Sequence, residues 1–188
     1  MQQLKYILKY ILSLLNEPEQ TWKFLTEDDV DEAKLEYMQT NYYLPMMGVV
    51  AVLLFFLAGW GDPFSIERAM KQAVSFVAAF FVSPYLASFV LNQACEKLIG
   101  VSFNREKLQV FVAYSLSFLM TVDLLKATFP HIKFLAFFAL YMFYIVWCAS
   151  DGYFGLAERN RWKFTSISFF VIWLSPILVT RIMTFMMR

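Results

Sequence analysis

The chain has 188 residues, of which 60% are hydrophobic and 19% aromatic, and only 16% are charged. Soluble domains are roughly 45–50% apolar and about 25% charged, so a soluble domain of this composition would expose a large apolar surface, and a disordered chain would be far more polar. The net charge of +1 excludes the strongly basic surface of a nucleic-acid-binding protein, and the composition as a whole indicates a small integral membrane protein.

The N-terminal segment, residues 1–42, has a different composition from the rest and is predicted to lie outside the membrane. It carries eight of the 15 acidic residues. Its first apolar stretch has the spacing of one helix face, with Lys5 and Lys9 on the opposite side, and is too short to span a bilayer. Such a helix either lies in the membrane interface or packs on the inner face of the protein itself. The apolar positions are Leu4, Ile7, Leu8, Ile11, Leu12 and Leu15.

Two further features follow within this segment. Asn16, Glu17 and Pro18 predict the end of one helix and the start of another, because proline is favoured at a helix N-terminus. The acidic run from Thr26 to Glu32 is interpreted as a solvated helix cap. It lacks the glycine and the alternating ligands of a calcium loop, so no metal site is predicted there.

Residues 43–188 are predicted to form a membrane domain of five transmembrane helices, which makes the fold class all-α. Continuous apolar runs of this length are typical of spanning helices, whereas a β-barrel would show shorter, alternating segments. Short polar connections separate the runs. The predicted spans are about 43–60, 70–92, 108–125, 134–150 and 164–186.

The distribution of Lys and Arg predicts the orientation of the domain. Ten of the 16 basic residues lie in the N-terminal segment and in the second and fourth connections, and six lie on the other side. Positive charge is enriched in cytoplasmic loops, so the N-terminus is predicted in the cytosol and the C-terminus outside. Cys95 and Cys148 then lie near the cytosolic ends of their helices, where a disulfide is not expected.

Charged residues within the spans are candidate functional groups, because they are costly in a bilayer. Asp123 and Lys126 are three residues apart on one helix face. They form either an ion-linked functional pair or a terminal ion pair with Lys126 reaching the interface, and the second interpretation is favoured. Arg181, near the outer end of the last span, is expected to reach the interface or to pair with Asp123.

Two Ser-Pro pairs, Ser83-Pro84 and Ser175-Pro176, interrupt the second and fifth spans in similar surroundings. Proline removes a backbone hydrogen bond and kinks a helix, and a neighbouring serine can bond the freed groups. Paired interruptions can mark the binding site of a transporter. Since five spans do not divide into two equal halves, kinks used for helix packing are favoured.

The third and fourth spans carry several hydroxyl side chains, notably Tyr114 and Ser115. Such groups commonly hydrogen-bond between helices at about 1 kcal/mol or less. The same residues are also compatible with a polar path. Both interpretations stay open at this point.

No enzyme motif is present: the chain has no nucleophile elbow, no phosphate-binding loop and no zinc-binding pattern. The single histidine, His131, cannot form a histidine cluster within one chain. We therefore expect no catalytic activity, no cofactor and no metal.

Three features together resemble a known family of membrane proteins. One is the stretch from Leu14 to Trp22 (LLNEPEQTW), a helix end followed by a proline and, four residues later, an aromatic residue. Another is the stretch from Val110 to Leu116 (VFVAYSL), which opens a span that closes at Leu125 to Pro130. With the five-span layout after a hydrophilic N-terminal segment, they resemble the bacterial branch of the YIP family, the Ypt/Rab-GTPase-interacting membrane proteins.

The resemblance implies an all-helical, five-span protein with a cytosolic N-terminus, and it implies no catalytic residues. Eukaryotic relatives bind small GTPases in vesicle trafficking, a role that is not carried over to the bacterial branch. The leading hypothesis is a non-enzymatic, homo-oligomeric scaffold or membrane-organising module of the bacterial inner membrane. It would contact lipids or a cytosolic protein through residues 1–42 and the basic connection Glu158–Lys163. The alternative is a channel or transporter for an ion, small solute or lipid, with a polar path near Tyr114, Ser115 and Asp123.

Overall fold

A computed structural model describes residues 2–26, 33–59, 65–132, 134 and 137–187, and every regular element in these ranges is helical. The all-α fold class is thereby confirmed. A short π-helical segment, Gln39–Tyr43, joins the third and fourth helices. The helices are α1 (Gln2–Asn16), α2 (Pro18–Phe24), α3 (Leu35–Met38), α4 (Leu44–Gly59), α5 (Ile66–Ile99), α6 (Arg105–Thr128), α7 (Phe138–Gly152) and α8 (Glu158–Met186).

Four helical stretches are long and apolar enough to cross a membrane, which indicates an integral membrane protein: Leu35–Gly59, Ile66–Ile99, Arg105–Thr128 and Glu158–Met186. They correspond to the first, second, third and fifth predicted spans. The first begins eight residues before the predicted boundary, because α3, the π-helical segment and α4 form one continuous helix. The predicted fourth span corresponds to α7, which has 15 residues and a length of about 22 Å.

Helix α1 divides its apolar face between the protein and the surface. Ile7, Tyr10 and Leu14 are buried in the core, whereas Leu8 is 49% and Leu12 is 53% exposed. The helix therefore packs on the protein itself, which was one of the two predicted arrangements. Its contact with a bilayer stays a prediction.

Local signals set the bounds of the two central helices. The Ser65 side chain accepts a hydrogen bond from the Arg68 amide at the start of α5, and Asn104 accepts one from the Glu106 amide at the start of α6. Gly100 ends α5 with a φ of 75°, a left-handed conformation that glycine adopts without strain. The short connection from Gly100 to Asn104 places α6 antiparallel to α5, and α6 lies at the centre of the bundle.

Helices α6 and α8 end on the same side of the molecule, since Asp123 and Lys126 of α6 line one cavity together with Thr180 and Arg181 of α8. We call this side the distal end and the opposite side the proximal end. The chain leaves α6 at the distal end and starts α8 at the proximal end. Helix α7 lies between these two points in the chain.

Candidate functional site

Helices α4, α5, α6 and α8 enclose a cavity of about 500 Å³ at the distal end, which we call the distal cavity. It brings together Asp123, Lys126, Pro176 and Arg181, four residues that the sequence singled out for separate reasons. Its wall is amphiphilic, with apolar side chains on one part and hydroxyl, amide and charged groups on the other. The remaining lining residues are Leu54, Gln72, Ser75, Phe76, Phe80, Ala127, Ile177, Thr180 and Thr184.

An ion pair stands in this wall. Lys126 Nζ donates to Asp123 Oδ1 at 2.9 Å, and both side chains are half-exposed. Arg181 lines the same cavity, yet within the part of the chain that the structure describes it forms no ion pair with Asp123 or with another carboxylate. The geometry is that of an ion pair near the end of α6 that faces an open cavity.

A second space of about 580 Å³, the side cavity, adjoins the distal cavity and shares Gln72, Ser75 and Thr184 with it. It lies between the first turns of α5 and the last turns of α8. Glu67 and Lys71, one turn apart on α5, form an ion pair at 2.7 Å in its wall. Its other lining residues are Ser65, Arg68 and Met187.

The two Ser-Pro pairs differ in which side chain donates a hydrogen bond to the carbonyl that the proline leaves without a backbone donor. Pro176 has no amide hydrogen for the Ile172 carbonyl, and Ser175 Oγ donates to that carbonyl at 3.1 Å. Ser83 Oγ instead donates to the Ala79 carbonyl at 2.6 Å.

The carbonyl that Pro84 leaves without a backbone donor belongs to Phe80, and it accepts a 2.7 Å hydrogen bond from the Tyr43 hydroxyl of the preceding helix. The sequence did not identify Tyr43 as this donor. Pro84 signals a free carbonyl, but only the packing of two helices shows which side chain reaches it. Both Ser83 and Pro84 are buried.

Tyr114 and Ser115, by contrast, do not line the distal cavity; both are fully buried in the core of the bundle. Ser115 Oγ donates to the Phe111 carbonyl of its own helix at 2.9 Å. The Tyr114 ring packs 4.9 Å from that of Tyr42, whose hydroxyl is 2.7 Å from Ser117 Oγ. These hydroxyl residues therefore serve helix packing in this structure and are not joined to Asp123 by the cavity.

Trp22 connects the N-terminal segment to the bundle. Its side chain is fully buried, and its Nε1 donates to the Ile145 carbonyl of α7 at 3.1 Å. The ring packs against Phe111, Tyr114 and Tyr153 at centroid distances of 5.3 to 6.2 Å. Burial raises the pKa of the Tyr153 hydroxyl well above its usual value, so this contact stays neutral.

Two further hydrogen bonds hold the same segment. The Tyr141 hydroxyl donates to the Leu15 carbonyl at 2.7 Å, and the Thr26 hydroxyl donates to the Gly152 carbonyl at 2.9 Å. Together with Trp22, these contacts follow α7 along most of its length. The structure packs the second helix of the N-terminal segment against α7, and the prediction that this segment lies outside the membrane stays a prediction.

A third cavity of about 310 Å³ opens at the proximal end between α5 and α6. Helical geometry of 3.6 residues per turn places its α5 residues on the face opposite to those of the distal cavity. The two cavities are therefore not aligned in one path. The proximal cavity is lined by Tyr85, Ser88, Phe89, Asn92, Gln93, Glu96, Arg105 and Gln109.

Cys95 and Cys148 are buried and free. Within the described ranges, no three His, Cys, Asp or Glu side chains stand close enough to hold a metal ion. The acidic run from Thr26 to Glu32 lies, apart from Thr26, outside the described residues.

Comparisons of this chain with models of protein families, with curated proteins and with solved structures give no match.

Proposed function

We propose that the chain is a YIP-like, five-span protein of the bacterial inner membrane that acts without catalysis, as an oligomeric scaffold or membrane-organising module. The two short stretches on which the resemblance rests support the family assignment, because they contact each other. Trp22 of the first packs against Phe111 and Tyr114 of the second at centroid distances of 5.5 and 6.2 Å. Residues from Val110 to Leu116 are all buried around this contact.

The course of the chain supports the fifth span. Helix α6 ends and helix α8 begins at opposite ends of the molecule, and we infer that the chain crosses once more between them. Helix α7 covers about 22 Å of that distance. Five crossings place the two termini on opposite sides, as the distribution of Lys and Arg predicts.

The observation that carries the scaffold proposal is the filled interior between the two ends. Helix α6 is buried continuously from Val110 to Met120, and Tyr42, Trp22 and Tyr114 form an aromatic layer across it. A transport path needs polar space that continues from one side to the other. Here the cavities at the two ends lie on opposite faces of α5.

The docked N-terminal segment offers the interaction surface of such a module. Leu8 and Leu12 are exposed beside Lys5 and Lys9 on α1, a combination that suits a lipid headgroup region or a partner helix. Because Trp22 holds α2 against α7, this surface keeps a fixed position relative to the membrane helices. A fixed surface is what a scaffold requires.

The scaffold proposal is tested by the oligomeric state in lipid. Native mass spectrometry of the protein in nanodiscs, with cross-linking in membranes at increasing expression, is expected to show one defined oligomer. A strictly monomeric protein under both conditions would contradict the proposal.

The topology is tested by a reporter fused after Arg188. Alkaline phosphatase, which is active only outside the cytoplasm, is expected to be active there, and a fluorescent protein that folds only in the cytoplasm is expected to be dark. The reverse result places the C-terminus in the cytoplasm and contradicts the proposed topology.

The distal cavity favours one second candidate, a channel or transporter that uses Asp123. Open space reaches the Asp123–Lys126 pair directly. In proteoliposomes this candidate predicts an ion or solute flux that Asp123→Asn reduces. No flux, or a flux that Asp123→Asn leaves unchanged, removes Asp123 from any such mechanism.

A further inference from the structure

The distal cavity and the side cavity together combine a basic rim with an apolar wall. The rim carries four basic side chains against two carboxylates, all at the distal end. The apolar wall lies deeper along α4, α5 and α8 and consists of Leu54, Phe76, Phe80 and Ile177. This order, from charged to apolar, is that of an amphiphile with an anionic head.

The ion pairs decide where the excess positive charge lies. Lys71 and Lys126 each hold a carboxylate, at 2.7 Å and 2.9 Å. Within the described part of the chain, Arg68 and Arg181 hold none. The uncompensated charge of the composite site is therefore that of two guanidinium groups. One guanidinium group can donate two parallel hydrogen bonds to two phosphate oxygens, which the ammonium group of lysine does not do.

The residues shared by the cavity that Arg181 lines and the cavity that Arg68 lines are polar. Gln72, Ser75 and Thr184 line both cavities, so an anion placed between the arginines meets amide and hydroxyl groups as well as charge. Hydrogen bonds to a charged group are about twice as strong as neutral ones. The site thus offers several donors for one oxyanion.

We propose that this composite cavity binds the phosphate headgroup of an anionic phospholipid, with Arg68 and Arg181 on the phosphate and an acyl chain along Phe76, Phe80 and Ile177. A free phosphate ion would use the arginines but leave the apolar wall unused. The inference rests on the proposed membrane embedding of the distal end and is independent of the oligomeric state. It names a ligand class for a site to which the scaffold proposal assigns none.

The test uses the full chain in a mild, uncharged detergent. Phosphatidylglycerol and phosphatidylcholine with identical acyl chains are titrated separately, and bound lipid is counted by native mass spectrometry. The site predicts a preference of about tenfold for phosphatidylglycerol. The double variant Arg68→Gln/Arg181→Gln is expected to abolish this preference, and Arg68→Lys/Arg181→Lys to retain part of it.

Arg105→Gln is the matched control, because Arg105 is an exposed arginine at the start of α6, at the proximal end. It is expected to keep the full preference. Equal binding of the two lipids, or an equal loss in the Arg105→Gln variant, overturns the site. If inorganic phosphate displaces the lipid at a comparable concentration, the site binds free phosphate, and the proposal of a lipid ligand is overturned. Circular dichroism checks that each variant stays helical, and the single variants replace the double variant if it does not.

Discussion

The Tyr43 hydroxyl donates a 2.7 Å hydrogen bond to the Phe80 carbonyl, the acceptor that Pro84 leaves without a backbone donor. A hydroxyl group on one helix thus supplies the hydrogen bond that a proline removes from another helix. In a bilayer no water replaces a missing donor, so a kinked helix depends on a partner of this kind.

We expect Tyr43→Phe to lower the free energy of unfolding by about 1 kcal/mol, because it leaves the buried Phe80 carbonyl unsatisfied. In a Pro84→Ala background the new amide hydrogen serves that carbonyl, and the cost of Tyr43→Phe should fall markedly. Unfolding in mixed detergent measures the free energy of unfolding of the unaltered protein, the two single variants and the double variant. An equal cost in both backgrounds would show that the hydrogen bond does not compensate for the proline.

Trp22 should decide whether the N-terminal segment stays docked. Trp22→Ala removes a fully buried ring and the hydrogen bond to the Ile145 carbonyl, and such changes cost about 3–5 kcal/mol. Hydrogen exchange of the α1 and α2 amides is expected to rise by at least about tenfold, with α5 and α8 much less affected. Trp162→Ala, at an exposed tryptophan, serves as the control. Unchanged exchange in α2 would mean that Trp22 does not hold the segment.

Gly152 lets α2 approach the end of α7 closely. A Cβ at this position would stand 3.4 Å from Trp22 Cβ and 3.5 Å from the Glu19 carbonyl oxygen, which is ordinary contact. We therefore expect Gly152→Ala to be tolerated and Gly152→Leu to displace α2, with a loss of about 1–3 kcal/mol. Thermal unfolding compares the two. A Gly152→Leu variant as stable as Gly152→Ala would contradict this, because it would show that α2 moves away from α7 without a loss of stability.

The exposed pair Glu19–Lys23 predicts a weak pH dependence of α2. The hydrogen bond from Lys23 lowers the pKa of Glu19 below its usual 4.5. The stabilisation is therefore present above the unfolded-state pKa and is lost as the pH falls through the lower folded-state value. The protection factors of the α2 amides against hydrogen exchange should fall slightly below about pH 4, and Glu19→Gln should remove this pH dependence. A Glu19→Gln variant with the original acid response would exclude the pair as its cause.

Several features of the fold were predictable because they depend on local sequence. The long apolar runs predicted the four helices that are long and apolar enough to cross a membrane, and Pro18 predicted the start of α2. The continuity of α3 with α4 was missed, because polar residues such as Gln39 and Asn41 resemble a connection although they lie inside a helix.

The candidate site was predictable only residue by residue. The cost of charge in a bilayer identified Asp123, Lys126 and Arg181, and the structure brings all three to one cavity. Arg68, which the sequence did not single out, lines the adjoining side cavity because the first turn of α5 lies beside the last turns of α8. Tyr114 and Ser115 are also polar residues within a predicted span, as several cavity residues are, but they lie in the packed core.

The sequence by itself determined that this chain belongs in a membrane, because hydrophobicity over about 20 residues is a local sum that needs no tertiary partner. Only the tertiary structure decided that α2 docks into the bundle and that two arginines far apart in the chain, Arg68 and Arg181, line adjoining cavities that share polar residues. Both depend on which helix faces meet. The packing of side chains between helices determines which faces meet, and the apolar character of a span does not specify it.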